Sequence, residues 1–256
     1  MLLIGVFSFL SFLTQHEPRT PQNHLSDGAD STDDNHYDTA FYDLESKARA
    51  NYTITKTSLT SQRLEYWMAY QKAETDSARM AVLDQTGRFI ETSLVNHLIP
   101  FWYGTPWSFE GHTNTPKSGE VACGYFVSTT LKHLGFNVNR YHLAQQSPQN
   151  EARSIACGNS VSLFEAGTWQ DSLRHSTETE GLYFVGLDNH VGYLLNRRGE
   201  LFFIHSNYIG TTGVTAELAS ASDAFSSSVY WVVPISTNHQ LIKKWLLKEE
   251  VPIVKD

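Results

Sequence analysis

Cys123, His190 and His205 are the residues of this chain whose types and settings suit covalent chemistry. A thiol attacks a carbonyl carbon when an imidazole takes its proton and a further polar group holds that imidazole in one orientation. Cys123 stands at the first turn of an amphipathic helix read in the stretch from Glu120 to Phe136, where Phe126, Val127, Thr130, Leu131 and Leu134 recur at helical spacing and predict one buried stripe. Lys132 and His133 fall in the last turn and Gly135 supplies the stop. At the opposite end of such a helix, unpaired N–H groups favour the thiolate, the nucleophilic form. A small buried hydrophobe is the competing reading of a free cysteine.

His190 opens one predicted strand (Asn189 to Tyr193) and His205 closes the next (Phe202 to Ser206). Asn196-Arg197-Arg198-Gly199 reads as a hairpin turn, so the two strands are antiparallel neighbours. The start of one then lies beside the end of the other, and both imidazoles reach the same sheet edge. A helix bearing Cys123 packed on that sheet aligns nucleophile, base and orienting group. Either histidine alone reads equally well as a strand-end residue; the combination carries the expectation. Asp188 and Glu110 are alternative orienting carboxylates, each more simply a turn or surface charge. His112, His133 and His142 are read as ordinary polar residues.

The elements that must position these groups follow from periodicity. Leu182 to Leu187, His190 to Asn196, Glu200 to Ser206 and Val229 to Ile235 alternate as strands. Upstream, helices are expected from Asp43 or Ser46, from a Thr60-Ser61 cap through Gln71, and from Arg88 to His97, ending before Pro100. Tyr66, Trp67 and Tyr70 form an aromatic cluster read as core packing or as a cover over the site. Pro100 to Gly111 is an aromatic loop suited to lining a cleft. Asn137 to Ile155 reads as loop plus a short helix, and Ser160 to Leu173 as a further helix or a strand–helix junction. A tail helix bearing Leu241, Trp245 and Leu246 is expected to dock on the sheet. Helices followed by an antiparallel sheet give an α+β fold.

A chain of 256 residues, 41% hydrophobic and 12% aromatic, can bury a substantial core as one domain plus an appendage. A formal net charge of −8 without a dense Lys/Arg run argues against a nucleic-acid partner. Two cysteines make neither a disulfide scaffold nor a CxxC zinc site, and no cofactor or metal is expected. Cys157 is read as a structural thiol, or as a bridge to Cys123 in an oxidising compartment. Leu2 to Leu13 is apolar and uncharged. It is too short for an integral membrane span and suits the core of a secretory signal, so export to the periplasm or cell surface is expected; a buried cytosolic strand or helix is the competing reading. The polar, Asp-rich stretch that follows reads as a flexible linker, and its His16, His24 and His36 fit no compact ligand set.

Four segments in order, Gly104-Thr105-Pro106-Trp107, Ala122-Cys123-Gly124-Tyr125-Phe126-Val127, His190-Val191-Gly192-Tyr193 and Phe203-Ile204-His205-Ser206, resemble the NlpC-like cell-wall peptidases, compact relatives of papain. That family carries a Gly-Thr-Pro-Tyr loop, an Asp-Cys-Ser-Gly-Phe-Val helix start, a His-Val-Gly strand and a Phe-Ile-His-Ala strand end. The resemblance covers about Ile99 to Ile235. It implies a papain-like compact fold and cleavage of amide bonds in peptidoglycan stem peptides through an acyl-enzyme. Cys123 would be nucleophile, His190 base and His205 orienter, with the Cys123 backbone N–H in the oxyanion hole. The resulting layout is a signal peptide at 1–13, a linker at 14–39, a helical extension at 40–98, a catalytic domain at 99–236 and a helical tail at 237–256. Ala122 and Gly124 stand where the family has Asp and Ser, and Trp107 where it has the oxyanion Tyr. An indole N–H donates but does not accept, so either Trp107 substitutes or Tyr103 reaches in. The same triad would also serve an amidase, acyltransferase or deamidating effector on a non-wall protein. An inactive fold would bind wall peptides or a protein through Trp102, Tyr103, Trp107 and Phe109.

Overall fold

Side-chain hydroxyls decide where the first helices begin. In the computed structural model, which describes residues 34–166 and 180–255 and side chains from residue 47 onward, helix α1 spans Asp34–Lys72. It runs straight through the Thr60-Ser61 pair expected to cap a new helix. Thr55, Thr57, Thr60 and Ser61 instead donate to the carbonyls four residues back, at 2.9–3.4 Å, so the hydroxyls are spent inside the helix. The cap that does form is Thr75, whose Oγ1 accepts from the Ala78 N–H at 3.1 Å and opens α2 (Asp76–Thr92). From α2 the chain continues through a π-helical turn, Ser93–Leu98, into α3 (Ile99–Trp102). Pro100 therefore does not end the predicted Arg88–His97 helix; it sits in the first turn of α3, where its missing N–H costs nothing.

The chain divides into two compact units, Met1–Ala40 and Phe41–Asp256. Of the first, only helical residues 34–40 are described, inside the stretch read as linker; the signal-peptide reading and the rest of the linker lie outside the described residues. Among the described residues no helix is long and apolar enough to cross a membrane.

In the second unit Tyr52 of α1 is 4% exposed. Its hydroxyl accepts from Trp102 Nε1 at 2.8 Å and donates to His133 Nδ1 at 2.9 Å. Burial lowers His133 to about 4, leaving a neutral ring as acceptor. His133 is thus a structural partner of the first helix. Of the aromatic cluster, Tyr66 packs on Phe89 of α2 at 5.0 Å and Tyr70 packs against the core, whereas Trp67 stays exposed.

Two-residue alternation produces the sheet. Its strands are β1 (Ser162–Glu165), β2 (Gly181–Gly186), β3 (Val191–Arg197), β4 (Glu200–Asn207), β5 (Gly213–Leu218) and β6 (Val229–Pro234). They lie antiparallel in the order β1-β6-β2-β3-β4-β5, an open sheet that makes the fold α+β. Of the edge strands, β5 has no counterpart in the sequence reading, whereas β1 lies in the Ser160 to Leu173 stretch read as a further helix or a strand–helix junction. Residues of β1 are mostly exposed, and β5 buries only its first two positions, so neither shows a clean apolar face. The β3–β4 hairpin turns through Arg198 and Gly199, both at positive φ (54° and 78°), with Arg197 paired to Glu200.

Helix α4 (Cys123–Leu134) lays its predicted stripe on the sheet: Phe126 meets Tyr193 edge-on at 5.9 Å, and Thr130 Oγ1 lies 2.7 Å from Tyr193 OH. Gly135 ends it at φ 112°. The region read as loop plus a short helix holds two, α5 (Arg140–Ala144) and α6 (Pro148–Ala156), capped by Asn139 and Ser147. The tail helix α7 (His239–Leu247) packs chiefly on α2 and α6 rather than the sheet, with Trp245 Nε1 donating to Leu134 O at 3.1 Å.

Replacing Tyr52 by Phe strips the Trp102 indole and the His133 ring of a shared buried partner. A loss of about 1–3 kcal/mol of stability is expected, read as a lower midpoint in urea denaturation with unchanged slope.

Candidate active site

Cys123 is the first residue of α4 because the chain before it is held extended and stitched down. Ala122 has φ −74° and ψ 161°. Its N–H donates to Gly111 O at 2.8 Å, and the Val121 N–H donates to Pro106 O at 2.9 Å. From the sheet, Ser206 Oγ donates to Val121 O at 2.7 Å. One residue before Ser206 is His205, so the contact ties the strand carrying an imidazole to the segment carrying the thiol. Arg140, 4% exposed, fastens the same loop by donating to Thr129 Oγ1 at 2.6 Å and to His112 O at 2.7 Å.

His190 immediately precedes β3 and His205 lies in β4. Their facing nitrogens, Nε2 of His190 and Nδ1 of His205, are 2.8 Å apart. On its far side His205 Nε2 meets Glu217 Oε1 of β5 at 3.1 Å, and that oxygen also accepts from Ser222 Oγ. A carboxylate only accepts, so His205 carries its proton on Nε2 and presents a bare Nδ1. His190 must then donate from Nε2, which leaves its own Nδ1 bare. The order of protons along the chain makes His190 Nδ1 the basic atom. The Val191 N–H, next in sequence to His190, hydrogen-bonds the Cys123 sulfur, as does the Gly124 N–H. Cys123 and His190 thus line one cleft, and a hydrogen-bonded chain runs from His190 through His205 to Glu217.

Burial sets the charge state. His190 is 4% exposed and His205 is fully buried. Phe203 stacks on His205 at 4.0 Å, and Tyr208 packs edge-on to His190 at 4.9 Å. Loss of water pushes His205 down to about 3, and burial together with neighbouring His205 takes His190 to about 3 as well. The Cys123 thiol is pushed up to about 11 by burial first and by Glu151 second, against the N–H groups that lower it. The expectation of a resting thiolate is therefore corrected. Desolvation outweighs the helix end, and the site rests as thiol and neutral imidazoles.

Cys123 and His190 open into a cleft of about 860 Å³ whose walls include Trp107, Tyr125, Glu151 and Tyr208. Trp107 Nε1 is buried without a hydrogen-bond partner. The residue lines the cleft, but this donor is enclosed and unsatisfied within the fold. Tyr103, the alternative, packs against the hydrophobic core and is not part of the lining. Trp102 is wholly buried and unfit for a recognition surface, whereas Phe109 stands 80% exposed at the cleft. Asp188 is occupied by Ser228, accepting from its N–H at 2.7 Å and its hydroxyl at 2.6 Å, and does not orient an imidazole. Cys157 is a free thiol at the end of α6, as is Cys123, so no bridge joins them. Among the described residues no three His, Cys, Asp or Glu side chains are grouped to hold a metal ion.

Glu217, Ser222 and Glu151 were not singled out from the sequence. Glu217 falls in a strand without a period-two signal, and Glu151 looks like any charge on a short polar helix. Comparison of the chain with family models, curated proteins and solved structures finds no match.

With Cys157 changed to Ser, iodoacetamide alkylation of Cys123 is expected to climb with a midpoint above that of an ordinary thiol, about 8.5. A plateau reached below pH 7 would instead reveal a standing thiolate–imidazolium pair.

Proposed function

We propose that the chain is a cysteine hydrolase that cleaves amide bonds in peptidoglycan stem peptides, in the manner of the NlpC-like, papain-related enzymes it resembles. The observation that carries the chemistry is the relay of His190, His205 and Glu217 beside a thiol at a helix start. The wall substrate rests on the resemblance of the four motifs and on the reading of Leu2 to Leu13 as an export signal.

In the proposed reaction the Cys123 sulfur bonds to the carbonyl carbon as His190 Nδ1 takes the thiol proton. Both groups are neutral at rest, so proton transfer accompanies attack rather than preceding it. The imidazolium that forms donates to His205, whose own N–H leans on the Glu217 carboxylate and spreads the new charge. Negative charge on the substrate oxygen is received by the Cys123 backbone N–H and the unpartnered Trp107 N–H. His190 returns its proton to the amide nitrogen, the C–N bond breaks, and the amine leaves a thioester. Water, deprotonated by His190, attacks that thioester; the C–S bond breaks and the thiol is restored.

Digestion of purified peptidoglycan followed by mass analysis tests this reading. Peptide fragments are expected from the parent chain and none from Cys123→Ala; cleavage at the parental rate by that variant overturns the proposal. Glu217→Ala removes the acceptor that fixes the two imidazole tautomers. It should lower kcat with little change in KM, by at least about tenfold but less than the roughly 10²–10⁴ that a general base contributes.

A further inference from the structure

The acidic side chains lining the cleft are Glu110, Glu151 and Asp188, and among the described residues of its wall there is no lysine or arginine. His190 adds no positive charge, because burial holds its ring neutral. Asp188 is already spoken for by Ser228, and Glu110 belongs to the aromatic loop. Glu151 is different. It is 2% exposed, yet its Oε2 is buried with no hydrogen-bond partner. Glutamate is almost never buried without a partner, and leaving such an oxygen unsatisfied costs the folded state the hydrogen bonds that water gave it. A group kept at that cost in the wall of a cleft, close enough to Cys123 to perturb its thiol, asks for a ligand.

The surroundings specify which one. Residue 124 has no side chain, and a Cβ there would sit 2.8 Å from Glu151 Oε1 and 2.9 Å from Ala144 O, so the carboxyl occupies the space beside the helix start. Trp107, Tyr125 and Tyr208 share the same cavity, and aromatic faces attract cations. We propose that the cleft takes a substrate whose scissile amide lies next to a positively charged amine, and that Glu151 receives that ammonium group. Burial raises Glu151 well above the ordinary carboxylate range, and a nearby ammonium group lowers it again, so binding the cation favours release of the carboxyl proton to solvent and formation of an ion pair. Peptides bearing a carboxylate at that position bring a negative charge beside Glu110 and Asp188 and are disfavoured. The proposal rests on the cleft being the site of the thiol chemistry and narrows the stem peptide to one with a free amine beside the cut bond.

Thiol-labelling reagents of different charge test it without a known substrate. In the full chain carrying Cys157→Ser, Cys123 would be modified by methanethiosulfonates bearing an ethylammonium or an ethylsulfonate group, each rate divided by that of a free small thiol. The normalised preference for the cation is expected to be about 100-fold, in the range by which charged clefts concentrate ligands. Glu151→Gln should cut it by about tenfold. A ratio equal to that of the free thiol, or one unmoved by Glu151→Gln, overturns the proposal. Should that variant not fold, protection of the parent chain decides: butylammonium should slow labelling by the neutral methyl reagent while butyrate does not, and equal effects of the two overturn the proposal. A cation-selective cleft in a protein that cuts no peptidoglycan would sink the hydrolase reading alone, whereas wall cleavage with a charge-blind cleft would sink this one alone.

Discussion

The hydrogen bond between two imidazoles depends on a register. β3 and β4 pair so that Tyr193 faces Ile204 and Arg197 faces Glu200, and slipping that ladder by one residue would turn every side chain to the opposite face. The turn through Arg198 and Gly199 pins the ladder at one end. At the other end Gly192 leaves the needed room, since a Cβ there would lie 2.6 Å from the Phe203 ring and 3.0 Å from His205 Cβ. That absence lets Phe203 slide under His205 as a flat support. Ser206, the next residue along, reaches across to the segment before the thiol. A single local pairing thus sets both imidazoles and the tether to the segment that carries Cys123.

Burial then gives the site its character. His205 loses all contact with water, but both of its nitrogens are bonded, so its polarity is satisfied within the protein. Trp107 Nε1 and Glu151 Oε2 are treated in the opposite way: both are buried and neither has a partner. The contrast separates a group whose polarity is satisfied inside the protein from two that the fold leaves unsatisfied in residues lining the cleft. A neutral thiol beside neutral imidazoles fits the same picture, because the dry surroundings strengthen charge separation only once a substrate supplies somewhere for the charge to go.

The parts of this arrangement that could be read along the chain are those with a repeating pattern. The stripe from Phe126 to Leu134, the central strands and the Asn196–Gly199 turn each carry a periodic or conformational signal that local physics enforces. Thr60-Ser61 misled because a hydroxyl that bonds backward within a helix has the same letter as one that caps a helix. The π-turn at Ser93–Leu98 has no compositional mark, so Pro100 looked like a terminator. β5 is a half-exposed edge strand, and with it Glu217 stayed hidden although it completes the relay. The state of the thiol was misjudged for a related reason: helix polarity is visible in the sequence, whereas desolvation depends on which distant residues close over the sulfur.

Gly124 and Glu151 illustrate how far apart along a chain two choices can be and still be one choice. A β-carbon at 124 would meet not only Glu151 Oε1 at 2.8 Å but also the Ala144 carbonyl oxygen at 2.9 Å. Shortening the acid alone would leave the backbone at the end of α5 in the way. Any side chain at 124 therefore demands a different path for the turn between α5 and α6, and the bare helix start and that turn are fixed together.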